Sequence, residues 1–143
     1  MDPVSIVQLS QVISHVVAPA FVLGAVASFI SILVARMNGI LDRIRSLNEL
    51  PGEGHAKSAL KADIPRLKQR AALLHRAIIL AIGSGVVAAF LIIVAFASVL
   101  LGFTHVFGAA ILFMASLGLL CASLVVFGME AWIGLNEYDH HLG

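Results

Sequence analysis

The chain has 143 residues, of which 60% are hydrophobic and 12% charged, with a mean hydropathy of +1.02. A soluble domain carries about a quarter charged residues and about half apolar ones, and a disordered chain is poorer still in apolar residues, so both classes are excluded. Net charge is only +1, but all nine Lys and Arg fall between Arg36 and Arg76, a window of charge +5 once Asp42, Glu49, Glu53 and Asp63 are counted, against −4 from Asp2, Glu130, Glu137 and Asp139.

At the N-terminus, Asp2-Pro3 is a plausible helix start, with Ile6, Leu9 and Ile13 on one face. Residues 1–14 are expected outside, either extending the first span or lying along the outer surface. The uncharged run 15–35 then exceeds the 18 to 20 apolar residues that a hydrocarbon core of about 30 Å requires, as do 77–101 and 106–127. Runs of this length are too long for barrel strands and read as helices. No Lys or Arg precedes the first run, so a cleavable signal peptide is not expected.

Past Arg36, residues Ile40, Ile44 and Leu47 keep a helical spacing while Asp42, Arg43 and Arg45 fall on other faces, so the first helix should continue to about Asn48. Pro51, Gly52 and Gly54 break it. On the return, Asp63 can cap, Pro65 suits the first turn, and Leu67, Ala71, Leu74 and Ile78 make a stripe running into the second span. Residues 36–76 therefore read as a basic helical hairpin, cytoplasmic by the positive-inside rule. Residues 102–105 leave room only for a tight periplasmic turn, and 128–143 make a cytoplasmic tail. The expectation is an all-α integral membrane three-helix bundle, its first two spans extended into a cytoplasmic hairpin, with the N-terminus outside.

Few residues suggest chemistry. The stretch from Gly52 to Ser58 lacks the Gly before Lys57 and the preceding strand of a phosphate-binding loop, and reads as a polar turn. Glu137, Asp139, His140 and His141 lack the rigidity of a metal site and read as a solvated tail. Cys121 can form no internal disulfide and, among apolar neighbours, is expected to be buried. No catalytic, metal or cofactor residue is assigned, and the chain is not expected to be an enzyme.

Three constellations remain. Pro19 frees the carbonyl of His15, and with His105 in the outer turn these residues make a possible outer polar site, weighed against a kinked helix with a hydrated histidine. Arg36, Arg76 and Glu130 sit at the inner ends of the three spans, where Glu130 beside the interfacial Trp132 is expected to pair with Arg36 or Arg76, weighed against a gate or permeation carboxylate. Gly24, Ser28, Ser31, Ala35 and Asn38 form a small or polar stripe on the first helix, matched by Ala81, Gly85 and Ala89 on the second and Gly118 and Ala122 on the third. Such stripes serve close helix packing, or line a pore if several copies assemble.

The segment Leu33 to Leu47 carries an Arg at the end of the first span, Arg36, followed by Ile40, Asp42, Arg43, Arg45 and Leu47. It resembles the hallmark of a bacterial family of small three-span membrane proteins recorded as a domain of unknown function. The resemblance implies a bacterial inner-membrane protein and supplies no activity. The leading expectation is a non-enzymatic scaffold or interaction module, as a homo-oligomer or part of a larger complex, with anionic lipid headgroups on the basic hairpin and no nucleic acid. The alternative is an oligomeric ion channel lined by the first span.

Overall fold

The computed structural model describes the backbone of residues 3–49, 54, 61–103 and 106–142, and side chains within these from 5 to 139. Its helices are α1 (Pro3–Asn48), α2 (Ile64–Leu101) and α3 (Val106–Leu142). At 46, 38 and 37 residues, each is long and apolar enough to cross a membrane. Their most apolar stretches are only 22%, 33% and 11% buried within the protein. Phe21, Leu100 and Phe107 are 76%, 86% and 82% exposed. Water would not tolerate an apolar surface on this scale; lipid requires one, and the chain is a membrane protein.

Residues 3–14 continue directly into the first span as part of α1. The buried residues of α1 are Pro19, Val26, Leu33, Ile40 and Leu47, one every seven. On α2, Leu67, Leu74, Ala81 and Ala88 repeat at seven, and so do Ala77, Ser84 and Leu91. On α3 the repeat is Ser116, Ser123 and Glu130. A seven-residue period returns each seam position to the partner helix, as a and d positions do in coiled coils.

The chain divides into two compact units. The first comprises Met1–Phe29 and Leu80–Cys121. Within it, Ser84 Oγ donates to the carbonyl of Ser116 at 2.7 Å and Ser116 Oγ donates to the carbonyl of Ser84 at 2.9 Å. Gly85 lets α2 approach α1: a Cβ there would stand 3.3 Å from Val26 Cγ1. The α2–α3 turn begins at Gly102, whose φ of 72° suits glycine, and the Phe103 amide donates to the Ser98 carbonyl at 3.0 Å. Together these make a Schellman C-cap.

The second unit comprises Ile30–Ile79 and Ala122–Gly143. Its apolar core is Leu33, Ile40, Leu47, Leu67, Leu74 and Ala77. Ser123 Oγ donates to the carbonyl of Ala77 at 2.6 Å. The partners 77 and 123 add to the same total as 84 and 116, so α2 and α3 meet in one antiparallel register in both units. At its start, α2 has Pro65 in the first turn, and the Leu67 amide bonds the Asp63 carbonyl at 3.1 Å.

Helix α3 runs to Leu142, Glu130 and Glu137 continuing the seven-residue seam beyond the apolar run. One expectation needs correction. Cys121 is exposed, since apolar neighbours on a membrane helix face lipid as readily as protein. Gly118 and Ala122 are exposed within the chain, whose own α3 seam passes through Ser116 and Ser123. The expected break at Pro51 and Gly52 lies outside the described residues.

The serine pair sets a graded expectation. Ser84→Ala removes one hydrogen bond and should lower stability by about 0.6 kcal/mol, the average for interhelical bonds in lipid. Ser84→Leu overpacks a fully buried position and should cost about 1–3 kcal/mol. Unfolding by SDS titration in mixed micelles measures both, and equal costs would count against the seam.

Candidate functional site

Glu130 occupies the next seam position of α3 after Ser123, and its side chain is 0% exposed. A carboxylate this buried is tolerated only when its oxygens are filled by donors. Arg36 of α1 places Nη2 2.9 Å from Oε2 and donates through Nε at 3.1 Å, while Nη2 lies 3.2 Å from Oε1. From α2, Arg70 Nε donates to Oε1 at 2.9 Å. Arg70 Nη1 reaches on to Glu137 Oε2 at 3.3 Å, one heptad further along α3. Two cations and two anions thus make a neutral four-residue network joining three helices within the second unit.

Two neighbours shape it. The Arg36 guanidinium lies 5.3 Å from the centroid of the Phe127 ring, a cation–π contact that favours charge over an apolar face. Gly134 leaves room for Arg70: a Cβ there would stand 2.9 Å from Nη2 and 3.2 Å from Cζ. Among the described residues, no buried side-chain nitrogen or oxygen lacks a hydrogen-bond partner. A cavity of about 830 Å³ adjoins the network on the side of Arg43 and Tyr138.

Glu130 pairs with Arg36, one of the two arginines expected for it. Its second partner is Arg70, and Arg76 is exposed. The reason is angular. Arg70 lies seven residues before Ala77 on the α2 seam, whereas Arg76 is one residue off it, about 100° around the helix. Glu137, weighed for a metal-binding tail, is held by Arg70 instead. The sequence signal for Arg70 and Glu137 was the spacing 70, 77, 84 on α2 and 116, 123, 130, 137 on α3.

The remaining candidates lie elsewhere. His15 is exposed, and its Nδ1–H donates to the Gln11 carbonyl at 2.6 Å, on its own helix. Pro19 is buried within α1, and His105 lies outside the described residues. Gly24, Ser28, Ser31, Ala35 and Asn38 are all exposed rather than packed in this chain's own seam. Of the family-like motif, Ile40 and Leu47 are buried, Arg43 is exposed, and Arg45 meets Asp42 at 3.6 Å on the surface.

A family model described as protein of unknown function (DUF2721) matches residues 16–139. The chain belongs to this family. The matched range takes in the motif from Arg36 to Leu47 and all four members of the buried network. No curated protein and no solved structure matches the chain.

Replacing Glu130 with Gln leaves Arg36 and Arg70 facing a neutral group, and breaking a buried pair costs about 3–5 kcal/mol. Arg70→Gln should approach that cost, and Arg76→Gln should change stability by less than about 0.5 kcal/mol, as surface substitutions do. SDS unfolding of the three variants checks the assignment. An Arg76 variant as unstable as the Arg70 variant would refute it.

Proposed function

We propose that the protein is a non-enzymatic interaction module of the bacterial inner membrane that assembles as a homo-oligomer or docks onto a larger membrane complex. The exposed stripe Gly24, Ser28, Ser31, Ala35 and Asn38 carries this reading. Within its own chain α1 packs through another line, Val26, Leu33, Ile40 and Leu47. Lipid tails gain little by packing on glycine, serine and alanine, whereas a second helix gains close backbone contact there.

Lys and Arg confined to 36–76 favour a cytoplasmic location for that segment and for the C-terminus, with the N-terminus outside. Basic side chains beside the inner leaflet hold anionic headgroups with about 1 kcal/mol each. Neither a cofactor nor a nucleic acid enters the proposal.

A second reading is supported by the polarity of the same stripe. Ser28, Ser31 and Asn38 would line a water path if α1 helices from several copies closed a ring, with Arg43 and Arg45 at its mouth. Cysteine at Ser28 in a Cys121→Ala background separates the cases in native membranes. Oxidation should link two copies through Ser28→Cys and not through Val34→Cys, an exposed position about 120° around the helix, and Ala35→Leu should reduce the yield severalfold. Conductance of the reconstituted protein would select the channel; absence of any Ser28→Cys cross-link would remove self-association in both forms. For orientation, a thiol introduced at Ser58 should react only with reagents admitted to the cytoplasm, and labelling from outside would invert the topology.

A further inference from the structure

The cavity beside the network has a divided lining. From α1 come Arg36 and Arg43, two helical turns apart, about 10 Å along the axis. Asp63, just before α2, and Glu137 of α3 bring the opposite sign. Ile40 and Leu67 supply buried apolar wall, and Leu135 and Tyr138 an exposed apolar rim. Neither Arg43 nor Asp63 has an ion-pair partner among the described residues. At about 830 Å³ the cavity falls in the range of ligand sites, about 300–1,000 Å³.

Its depth follows from the apolar runs. The uncharged stretch of α1 ends at Arg36 and that of α3 at Glu130, so the cavity begins where hydrocarbon gives way to headgroups. Arg70 also lines the cavity, its guanidinium turned to Glu130 and to Glu137 Oε2, so the walls offer a ligand positive charge at Arg36 and Arg43 and negative charge at Asp63 and Glu137. A molecule carrying both signs on one short, partly apolar body meets every wall. We infer that the cavity binds the zwitterionic phosphoethanolamine headgroup of a phospholipid, its phosphate on Arg36 and Arg43 and its ammonium on Asp63 and Glu137. The ammonium brings three N–H donors for the carboxylates, which a quaternary choline lacks. Tyr138 on the rim adds an aromatic face suited to a cation. The inference rests on the membrane nature of the helices and is independent of self-association.

Titration of the full chain in detergent micelles with dioctanoyl phosphatidylethanolamine, followed by calorimetry, tests it against the matching phosphatidylcholine and phosphatidylglycerol. One saturable site is expected, tightest for phosphatidylethanolamine. Arg43→Glu, at an exposed position off the seam, should weaken that site about tenfold or more. Asp63→Asn should weaken phosphatidylethanolamine and leave phosphatidylglycerol unchanged or tighter, with helical circular dichroism intact in both variants. Equal affinity for the three lipids overturns the inference, as does an Arg43→Glu variant that binds phosphatidylethanolamine as tightly as the native chain. A site that appears only after residues 50–60 are replaced by a Gly-Ser linker also overturns it, assigning the cavity to the chain's own segment. Light scattering on the same samples reads the oligomeric state separately.

Discussion

A carboxylate that has lost all contact with solvent governs the second unit. Glu130 is fully buried, and in a low-dielectric setting an ionised carboxyl is stable only if its charge is matched and its oxygens accept bonds. That demand fixes two helices at once, since Arg36 comes from α1 and Arg70 from α2. It also favours Gly134, because a Cβ at that position would stand 2.9 Å from Arg70 Nη2 and the guanidinium would have to shift. Such a network need not add stability over an apolar core of the same shape. Its effect is on register: a slip by one helical turn would strand a buried charge, whereas a slip along alanine and leucine would cost far less.

The serine rungs apply the same logic with smaller energies. Ser84 with Ser116, and Ser123 with the Ala77 carbonyl, each join α2 to α3 in the register that the Arg70–Glu130 pair also obeys. Serine suits these places because in lipid the helices gain little from expelling solvent and most from close approach. A small side chain permits the approach, and its hydroxyl bonds a carbonyl already engaged in the helix ladder through a second lone pair. The seam of α2 and α3 is thus built from residues that would be poor choices for the core of a soluble protein.

Hydropathy and punctuation made much of the fold legible. Three uncharged runs define three helices, Gly102 ends α2, and Pro65 begins it. The amphipathic spacing of Ile40 and Leu47 carries α1 to Asn48, and both side chains are buried. The site was legible only in part, because hydropathy reports depth and not angle. Arg70 and Arg76 both lie near the end of the second apolar run, and only the seven-residue seam decides which one faces Glu130. Burial failed for a related reason. In a soluble chain an apolar setting implies protein on all sides, but on α3 it means lipid, so Cys121, Gly118 and Ala122 face outward while Ser116, Ser123 and Glu130 face in.

The charge asymmetry of the sequence looks different once folded. Glu130 and Glu137, which supply half of the −4 outside the basic window, lie against Arg36 and Arg70 from within it. The two blocks that look opposed along the chain partly neutralise one another in space. Pairing of this kind removes charge from the field a bilayer surface senses, since a neutral buried cluster projects little potential beyond a Debye length of about 10 Å. The field that remains comes from exposed side chains such as Arg43 and Arg76, which stand outside the network. The joining of the three helices and the exposed positive charge are therefore carried largely by different arginines of one basic segment, and angular position on the helix decides which arginine does which.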